Sequence, residues 1–230
     1  GLGYQEKYGI DYIENFSPTP QITSVRFLLN LILQNKWNKY HCDVKGAFLN
    51  STLKEELFLK LPTGFKVKGC EYVKLKKSLY GLKQASFNWH NLLKSGLSKL
   101  GFKQSDHEPC LFLKDGIICV VYVDDTLFFA KDDAIIDDHI SQLRKLDFDL
   151  TEEGDVTAFL GVEISKDENG IITMTQTGLI DNILTLLGLN KDDKVKQHKT
   201  PAVSPPLHSD KDGSPRKLPW SYRSAIGMLL

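Results

Sequence analysis

The sequence predicts an α+β fold in which helices cover one face of a mainly antiparallel sheet. The apolar stretch over residues 117–130 reads as two strands, because Asp124 and Asp125 supply a turn-forming element within it. A second hairpin is indicated by Asn169-Gly170 between two strand-like runs. Apolar residues recur at helical spacing in three further segments, residues 22–35, 86–100 and 134–148.

The first half of the chain predicts a loop, a helix and short strands in that order. A proline-containing loop over residues 10–20 leads into the helix at 22–35. The β-rich run 37–42 follows and ends next to Asp43. Residues 57–61 alternate in polarity, and residues 72–75 can pair with them as a second short strand.

The second half predicts strands between amphipathic helices. Gly101 ends the helix over residues 86–100, and a strand at 110–113 precedes the apolar hairpin. The helix at 134–148 has a polar outer face. The remaining predicted elements are strands at 159–165 and 171–176, a helix at 177–187 and a proline-rich linker at 191–219.

Composition restricts the class of protein. The 230 residues carry 29 basic and 29 acidic side chains, which argues against a simple nucleic-acid-coating protein. Six lysines and one glutamate between residues 66 and 83 form a basic band that suits either a phosphate backbone or solvent. No apolar run has the length of a membrane span, so no membrane partner is predicted. The four cysteines are widely spaced and predict reduced core thiols.

The adjacent acids Asp124 and Asp125 predict a metal site. Two neighbouring carboxylates resist ionising together unless a cation neutralises them. An Asp pair at a turn is by itself more often structural, since Asp favours turn geometry. Asp43 would add a third carboxylate if its strand is a neighbour of the hairpin in the sheet. Three such acids would form an oxygen-rich, partly hydrated Mg²⁺ site.

Seven ordered motifs then match one family. They are YGIDYIENFSPT (8–19), HCDVKGAFLNSTLKEELFLKLPTGF (41–65), KLKKSLYGLKQASFNWH (74–90), SDHEPCLF (105–112), YVDD (122–125), FLGVEI (159–164) and SYRSAIGMLL (221–230). With these, the chain resembles the reverse transcriptase of copia-type LTR retrotransposons across nearly its whole length. The resemblance implies an RNA-directed DNA polymerase with the right-hand arrangement of fingers, palm and the start of a thumb.

The resemblance assigns the catalytic residues. Asp43, Asp124 and Asp125 would be the palm acids, and the Val44 carbonyl would be a further metal ligand. They would hold two Mg²⁺ ions, with Mn²⁺ as a substitute, for transfer of a nucleotide to a primer 3′-hydroxyl. Asp43 would bridge both ions, Asp124 would bind chiefly the catalytic one, and Asp125 would support them electrostatically.

The resemblance also assigns substrate contacts. Phe48 would lie under the sugar and clash with a 2′-hydroxyl; ordinary core packing is the alternative role for this residue. The other implied substrate-binding residues are Tyr80, Gly81, Lys83, Gln84 and Tyr122. The implied primer grip, a hairpin that holds the primer end, consists of Phe159, Leu160, Gly161, Val162 and Glu163.

Domain order and partners follow from the same resemblance. Residues 1–190 would form the fingers, palm and partial thumb, 191–219 a linker, and 220–230 the start of a connection or RNase H region. The implied partners are an RNA template, a DNA primer, dNTPs and the rest of a Pol polyprotein, with integrase upstream and RNase H downstream. We expect a piece of a longer polypeptide, located in a cytoplasmic virus-like particle and in the nucleus.

Two other functions remain open at this point. One is a truncated, catalytically inactive retroelement remnant that at most binds nucleic acid. The absence of the family's Lys- and Arg-bearing fingers strand before Gly1 favours this alternative. The chain also departs from the family at Ser86, where proline is usual, and at Phe87, where a basic residue is usual. The other is an RNA-dependent RNA polymerase, which Phe48 disfavours because such an enzyme must accept a ribose.

Overall fold

The structure is a computed structural model that describes residues 3–61, 64–65, 69–154, 158–159, 162–168, 171–189 and 220–229. The chain divides into two units, Gly1–Val156 and Thr157–Leu230. The predicted linker at 191–219 lies outside the described residues, and the domain boundaries stay a prediction. Within the described part of the chain, no helix has both the length and the apolar character needed to cross a membrane.

The first unit combines four α-helices with eight strands. A short 3₁₀ helix at Gly3–Gln5 precedes them. The helices are α1 (Ile22–Asn35), α2 (Ala47–Asn50), α3 (Ala85–Lys99) and α4 (Asp133–Lys145). The strands are β1 (Asn38–Val44), β2 (Phe58–Lys60), β3 (Tyr72–Lys74), β4 (Lys103–Gln104), β5 (Leu111–Lys114), β6 (Ile117–Tyr122), β7 (Asp125–Ala130) and β8 (Leu150–Gly154).

Six of these strands form one antiparallel sheet in the order β4-β5-β6-β7-β1-β8. Strand β1 therefore lies between β7 and β8, two strands that are distant from it in sequence. Its register with β7 puts Asp43 opposite Asp125. Strands β2 and β3 form a separate two-stranded ribbon. The predicted α+β class, with helices and a mainly antiparallel sheet, is confirmed.

A hydrophobic core joins one face of the sheet to α3 and α4. Its buried members include Trp89, Leu93 and Leu97 of α3, Ile136, Ile140 and Leu143 of α4, and Cys42, Val44, Cys119, Val121 and Phe128 of the sheet. Successive side chains of a strand point to opposite faces. Because Cys42 and Val44 both point into this core, Asp43 between them lies on the other face of the sheet.

Several predicted elements agree with the structure, and some observed elements were not predicted. The helix at 22–35 is confirmed with its predicted bounds. The strand predicted at 37–42 extends to Val44, so Asp43 lies inside it rather than after it. Neither α2 nor β8 was predicted, because one is a single turn and the other carries two acids in five residues.

The cysteines follow the predicted pattern at three positions. Cys42, Cys110 and Cys119 are buried free thiols, as predicted for core residues. Cys70 is also free but exposed, so the core prediction is wrong there. Its neighbours in sequence, Gly69 and Glu71, are exposed as well.

The described part of the second unit contains a three-stranded antiparallel sheet and two helices. Its strands are β9 (Ala158–Phe159), β10 (Val162–Lys166) and β11 (Ile172–Thr175), in the order β11-β10-β9. Helices α5 (Thr177–Leu187) and α6 (Tyr222–Leu229) contact each other. The β10–β11 pairing confirms the predicted hairpin, although its turn residues Asn169 and Gly170 lie outside the described residues.

Gly96 in α3 lies against the ring of Phe148. A Cβ at this position would be 2.5 Å from Phe148 Cε2 and 2.7 Å from Cζ, and that ring is buried. We therefore expect Gly96→Ala to destabilise the chain. Overpacking costs about 1–3 kcal/mol and exceeds the ~1 kcal/mol gained in helix propensity.

Urea unfolding measures this balance. In a Phe148→Leu background, which makes room for the methyl group, Gly96→Ala is expected to become neutral or stabilising. A higher unfolding midpoint for the single Gly96→Ala variant would contradict the predicted clash.

Candidate active site

Two of the predicted catalytic acids face each other across neighbouring strands. Asp43 of β1 is the register partner of Asp125 of β7. The Val44 N–H donates to the Asp124 carbonyl at 3.0 Å, which makes Asp43 and Asp125 a non-hydrogen-bonded pair. The Cα atoms of such pairs are about 4.5 Å apart and their side chains share one face of the sheet. The sheet thus brings two carboxylates together from distant parts of the sequence.

The third acid, Asp124, lies in the tight turn of the β6–β7 hairpin. Tyr122 and Asp125 pair across this turn, so Val123 and Asp124 form a two-residue loop. Val123 has a φ of 54°, a left-handed conformation that a β-branched residue rarely adopts. Such residues cost about 1–3 kcal/mol and persist only where the surroundings hold them. The turn that presents Asp124 is therefore strained.

His41 binds one of the acids, a contact that the sequence analysis missed. Its Nε2 donates to Asp125 Oδ1 at 2.8 Å. This hydrogen bond raises the pKa of His41 above its ordinary value, against the lowering effect of burial. His41 precedes Asp43 by two residues in β1, so both lie on the same face. The two-residue spacing of His41 and Asp43 within a predicted strand was the sequence signal that could have identified His41 as a neighbour of the acids.

Neighbouring carboxylates make the electrostatic potential at Asp43 negative. Burial is the largest cause that raises the pKa of this carboxyl, and the negative charges of Asp124, Asp125 and Glu153 raise it further. The pKa of Tyr80 is also raised, by burial and then by Asp124 and Asp43. Tyr80 therefore lies close enough to the acids to sense their charge. The arrangement would be stabilised by a cation.

An aromatic pair borders the acids. The rings of Phe48 and Tyr80 are 4.6 Å apart between centroids and inclined at 47°. Phe48 packs against the hydrophobic core, whereas Tyr80 is half exposed. Both are predicted substrate residues, and the structure brings them together beside the acids. Tyr122 lies on the same sheet face as Asp125, because the two residues pair across the turn.

The other predicted substrate residues contact the N-terminal segment. Gly81 has a φ of 90°, which favours glycine, and its carbonyl accepts a hydrogen bond from the Gly3 N–H. The Lys83 ammonium lies 3.3 Å from the Tyr12 hydroxyl and 4.8 Å from the centroid of the Tyr12 ring. The buried Gln84 amide donates to the Asp11 carbonyl at 3.0 Å. In this structure these side chains hold a loop, and their contact with a substrate stays a prediction.

The predicted primer grip belongs to the second unit. Phe159 of β9 pairs with Val162 of β10, and Glu163 pairs with Thr175 of β11. Leu160 and Gly161 lie outside the described residues. The role of this hairpin in holding a primer stays a prediction.

The acid cluster has the chemistry that suits Mg²⁺, although its side chains do not converge at ion-binding geometry. Asp43, Asp124 and Asp125 offer the hard oxygen ligands that Mg²⁺ prefers. Among the described residues, no three His, Cys, Asp or Glu side chains converge at metal-binding geometry. One oxygen of Asp125 is held by His41.

Asp43→Asn is expected to raise the melting temperature at neutral pH without divalent metal. The pKa of Asp43 is higher in the folded chain than its ordinary value. The folded state therefore binds more protons than the unfolded state, and this residue destabilises the fold as pH rises through the raised pKa. Asn removes the charge, so its advantage is present at pH 7 and absent below about pH 3.9, where both states are protonated.

Thermal unfolding in EDTA across this pH range measures the effect. Asp115→Asn is the matched control, because Asp115 is exposed at the opposite end of β6. A lower melting temperature for Asp43→Asn at pH 7 would contradict the repulsion inferred at the acid cluster.

Comparison with known proteins identifies the family. The profile described as "Reverse transcriptase (RNA-dependent DNA polymerase)" matches residues 1–202. The retrovirus-related Pol polyprotein from transposon TNT 1-94 of Nicotiana tabacum is 32% identical over 244 residues, which cover 99% of this chain and 18% of that protein. The corresponding polyprotein from transposon RE1 of Arabidopsis thaliana is 32% identical over 233 residues, covering 99% of this chain and 16% of that protein.

A yeast relative extends the comparison to another kingdom. The transposon Ty5-1 protein of Saccharomyces cerevisiae is 36% identical over 200 residues, which cover 82% of this chain and 62% of that protein. The chain spans less than a fifth of the length of the two plant polyproteins. The family profile covers more than half of the chain. The chain therefore belongs to the reverse transcriptase family of copia-type transposon Pol polyproteins.

Proposed function

We propose that this chain carries the polymerase site of an RNA-directed DNA polymerase, which transfers nucleotides to a primer 3′-hydroxyl. The observation that carries the proposal is the register pairing of Asp43 with Asp125, beside Asp124 in the adjoining turn. Two strands from distant parts of the sequence are needed to build this cluster. A structural turn alone would not require Asp43 opposite it.

The metal ligands of the proposed site are Asp43, Asp124, Asp125 and the Val44 carbonyl. Mg²⁺, or Mn²⁺ in its place, would activate the primer hydroxyl and stabilise the departing pyrophosphate. His41 holds one oxygen of Asp125 at 2.8 Å, and the second carboxylate oxygen of Asp125 would ligate the ion. The mutual repulsion that raises the pKa of Asp43 favours ion binding, because a bound cation relieves it.

Phe48 and Tyr80 form the proposed nucleotide floor. Their ring centroids are 4.6 Å apart, and burial, followed by the charges of Asp124 and Asp43, raises the pKa of Tyr80. A deoxyribose above Phe48 would fit where a 2′-hydroxyl would clash. The six-stranded sheet is the proposed palm. The β2–β3 ribbon and the N-terminal segment belong to the proposed fingers, and the second unit contains the start of the proposed thumb.

The proposed partners are an RNA template, a DNA primer and dNTPs, within a Pol polyprotein that also contains integrase and RNase H. Relatives of this chain are named as Pol polyproteins, which supports that context. The proposed location is a cytoplasmic virus-like particle, with the nucleus as a second compartment.

Primer extension on an RNA template tests the proposal. Parallel reactions contain dNTPs or rNTPs, each with Mg²⁺ or with EDTA. We expect extension with dNTPs and Mg²⁺ alone. Equal extension with rNTPs would favour an RNA polymerase, and no extension with either would favour an inactive remnant. Binding of labelled primer–template would then show whether the remnant retains affinity for nucleic acid.

A further inference from the structure

We propose that Trp89 is a positioning residue that fixes the turn carrying Asp124. The proposal rests on the proposed function for its catalytic consequence, but its structural part stands on its own. It assigns a task to a core side chain of α3. The matched motif at residues 74–90 includes Trp89 but assigned it no role.

A single hydrogen bond connects the core to the turn. The indole N–H of Trp89 donates to the Val123 carbonyl at 2.5 Å. That carbonyl belongs to the peptide unit that joins Val123 to Asp124. The bond therefore fixes the peptide plane immediately before the Cα of Asp124, and with it the direction in which the carboxylate leaves the backbone.

The turn needs such a restraint because of its conformation. Val123 has a φ of 54°, and a β-branched residue leaves that region when nothing holds it. Two-residue hairpin loops usually place glycine at such a position. An external donor to the Val123 carbonyl stabilises the conformation that glycine would adopt without help. The strain and the hydrogen bond thus occur at the same residue.

Trp89 is well suited to hold the turn because its own position is fixed. Its side chain is 0% exposed and belongs to the core shared by α3, α4 and the sheet. The Phe148 ring meets it edge-on, with centroids 5.9 Å apart and an interplanar angle of 69°. A buried indole N–H also needs an acceptor, and the Val123 carbonyl supplies it. Packing therefore transfers the rigidity of the core to the turn.

The hydrogen bond from Val44 provides a readout at the site itself. The Val44 N–H donates to the carbonyl of Asp124, at 3.0 Å. When the turn moves, this bond opens and the Val44 amide exchanges with solvent. Hydrogen–deuterium exchange at Val44 therefore reports on the placement of Asp124 in the chain without metal or substrate.

The experiment replaces Trp89 with 3-benzothienylalanine, which keeps the bicyclic shape and exchanges the N–H for sulfur. The same replacement at the half-buried Trp37 is the matched control. We expect exchange of the Val44 amide to accelerate about tenfold in the Trp89 variant and to stay unchanged in the control. Protection of core amides in α3 and β6 and the melting temperature should change little.

Primer extension gives the catalytic consequence. We expect kcat to fall about tenfold in the Trp89 variant with the KM for dNTP unchanged, because the substrate contacts remain in place. If the wild-type chain does not extend primers, the proposed function fails while the exchange result still decides the role of Trp89. Unchanged exchange at Val44, or acceleration spread evenly over all core amides, would overturn the positioning role.

Discussion

Asp124→Asn is expected to lower primer extension at least about a thousandfold, on the order of 4 kcal/mol of barrier. Asn keeps the size of the side chain and its fit to the turn between Tyr122 and Asp125. It removes the negative charge that would hold a divalent ion against the primer and the nucleotide. Single-turnover extension with saturating dNTP measures the loss without interference from product release.

The fold should survive this substitution. Relief of repulsion at the acid cluster is expected to leave the melting temperature equal to or above that of the wild type, because Asp124 raises the pKa of Asp43. Asp115→Asn, in the exposed β5–β6 turn at the other end of β6, controls for loss of one negative charge from the same sheet. Extension by Asp124→Asn at the wild-type rate would mean that the Asp pair is only a turn.

Phe48→Val is expected to increase the ratio of rNTP to dNTP incorporation at least about tenfold. The aromatic ring acts by clash, so a smaller side chain should improve the use of rNTPs and reduce the use of dNTPs less. Tyr80 contacts the Phe48 ring at 4.6 Å and remains in place in the variant. The measurement is competitive incorporation of matched rNTP and dNTP pairs at one template position.

Core packing is the alternative role of Phe48, and stability separates the two. A packing residue would cost about 3–5 kcal/mol on truncation and lower both activities together. Phe58→Val is the matched control, because Phe58 is an exposed phenylalanine on β2. An unchanged incorporation ratio with a lowered melting temperature would leave Phe48 as a core residue and return the RNA polymerase to consideration.

The sequence predicted those parts of the fold that depend on local patterns. Apolar periodicity located α1 with its bounds and the β6–β7 hairpin with its acids. Strand β8 was missed because its polarity resembles that of a loop, and pairing with β1 outweighs that composition. Register across non-adjacent strands cannot be read from periodicity, so the facing of Asp43 and Asp125 depended on the family resemblance.

The site residues that escaped prediction act through long-range contacts. His41 and Trp89 lie within matched motifs that assigned them no role, and the role of each became visible only when the fold brought it to the hairpin. Conversely, Lys83 and Gln84 belong to a recognised motif, yet their side chains bind the N-terminal segment in the structure. A motif identifies which residues a family uses, whereas the partner of each side chain follows from the fold.

The position of β1 between β7 and β8 has a consequence for how the protein comes to be active during synthesis. β1 emerges early from the ribosome, but both of its neighbours in the sheet emerge much later. Until then its apolar Cys42 and Val44 have no partner strand, and non-local pairing of this kind is slow. The acid pair therefore forms only after β7 has emerged, and a nascent chain that stops before β7 would contain Asp43 without its partner acids.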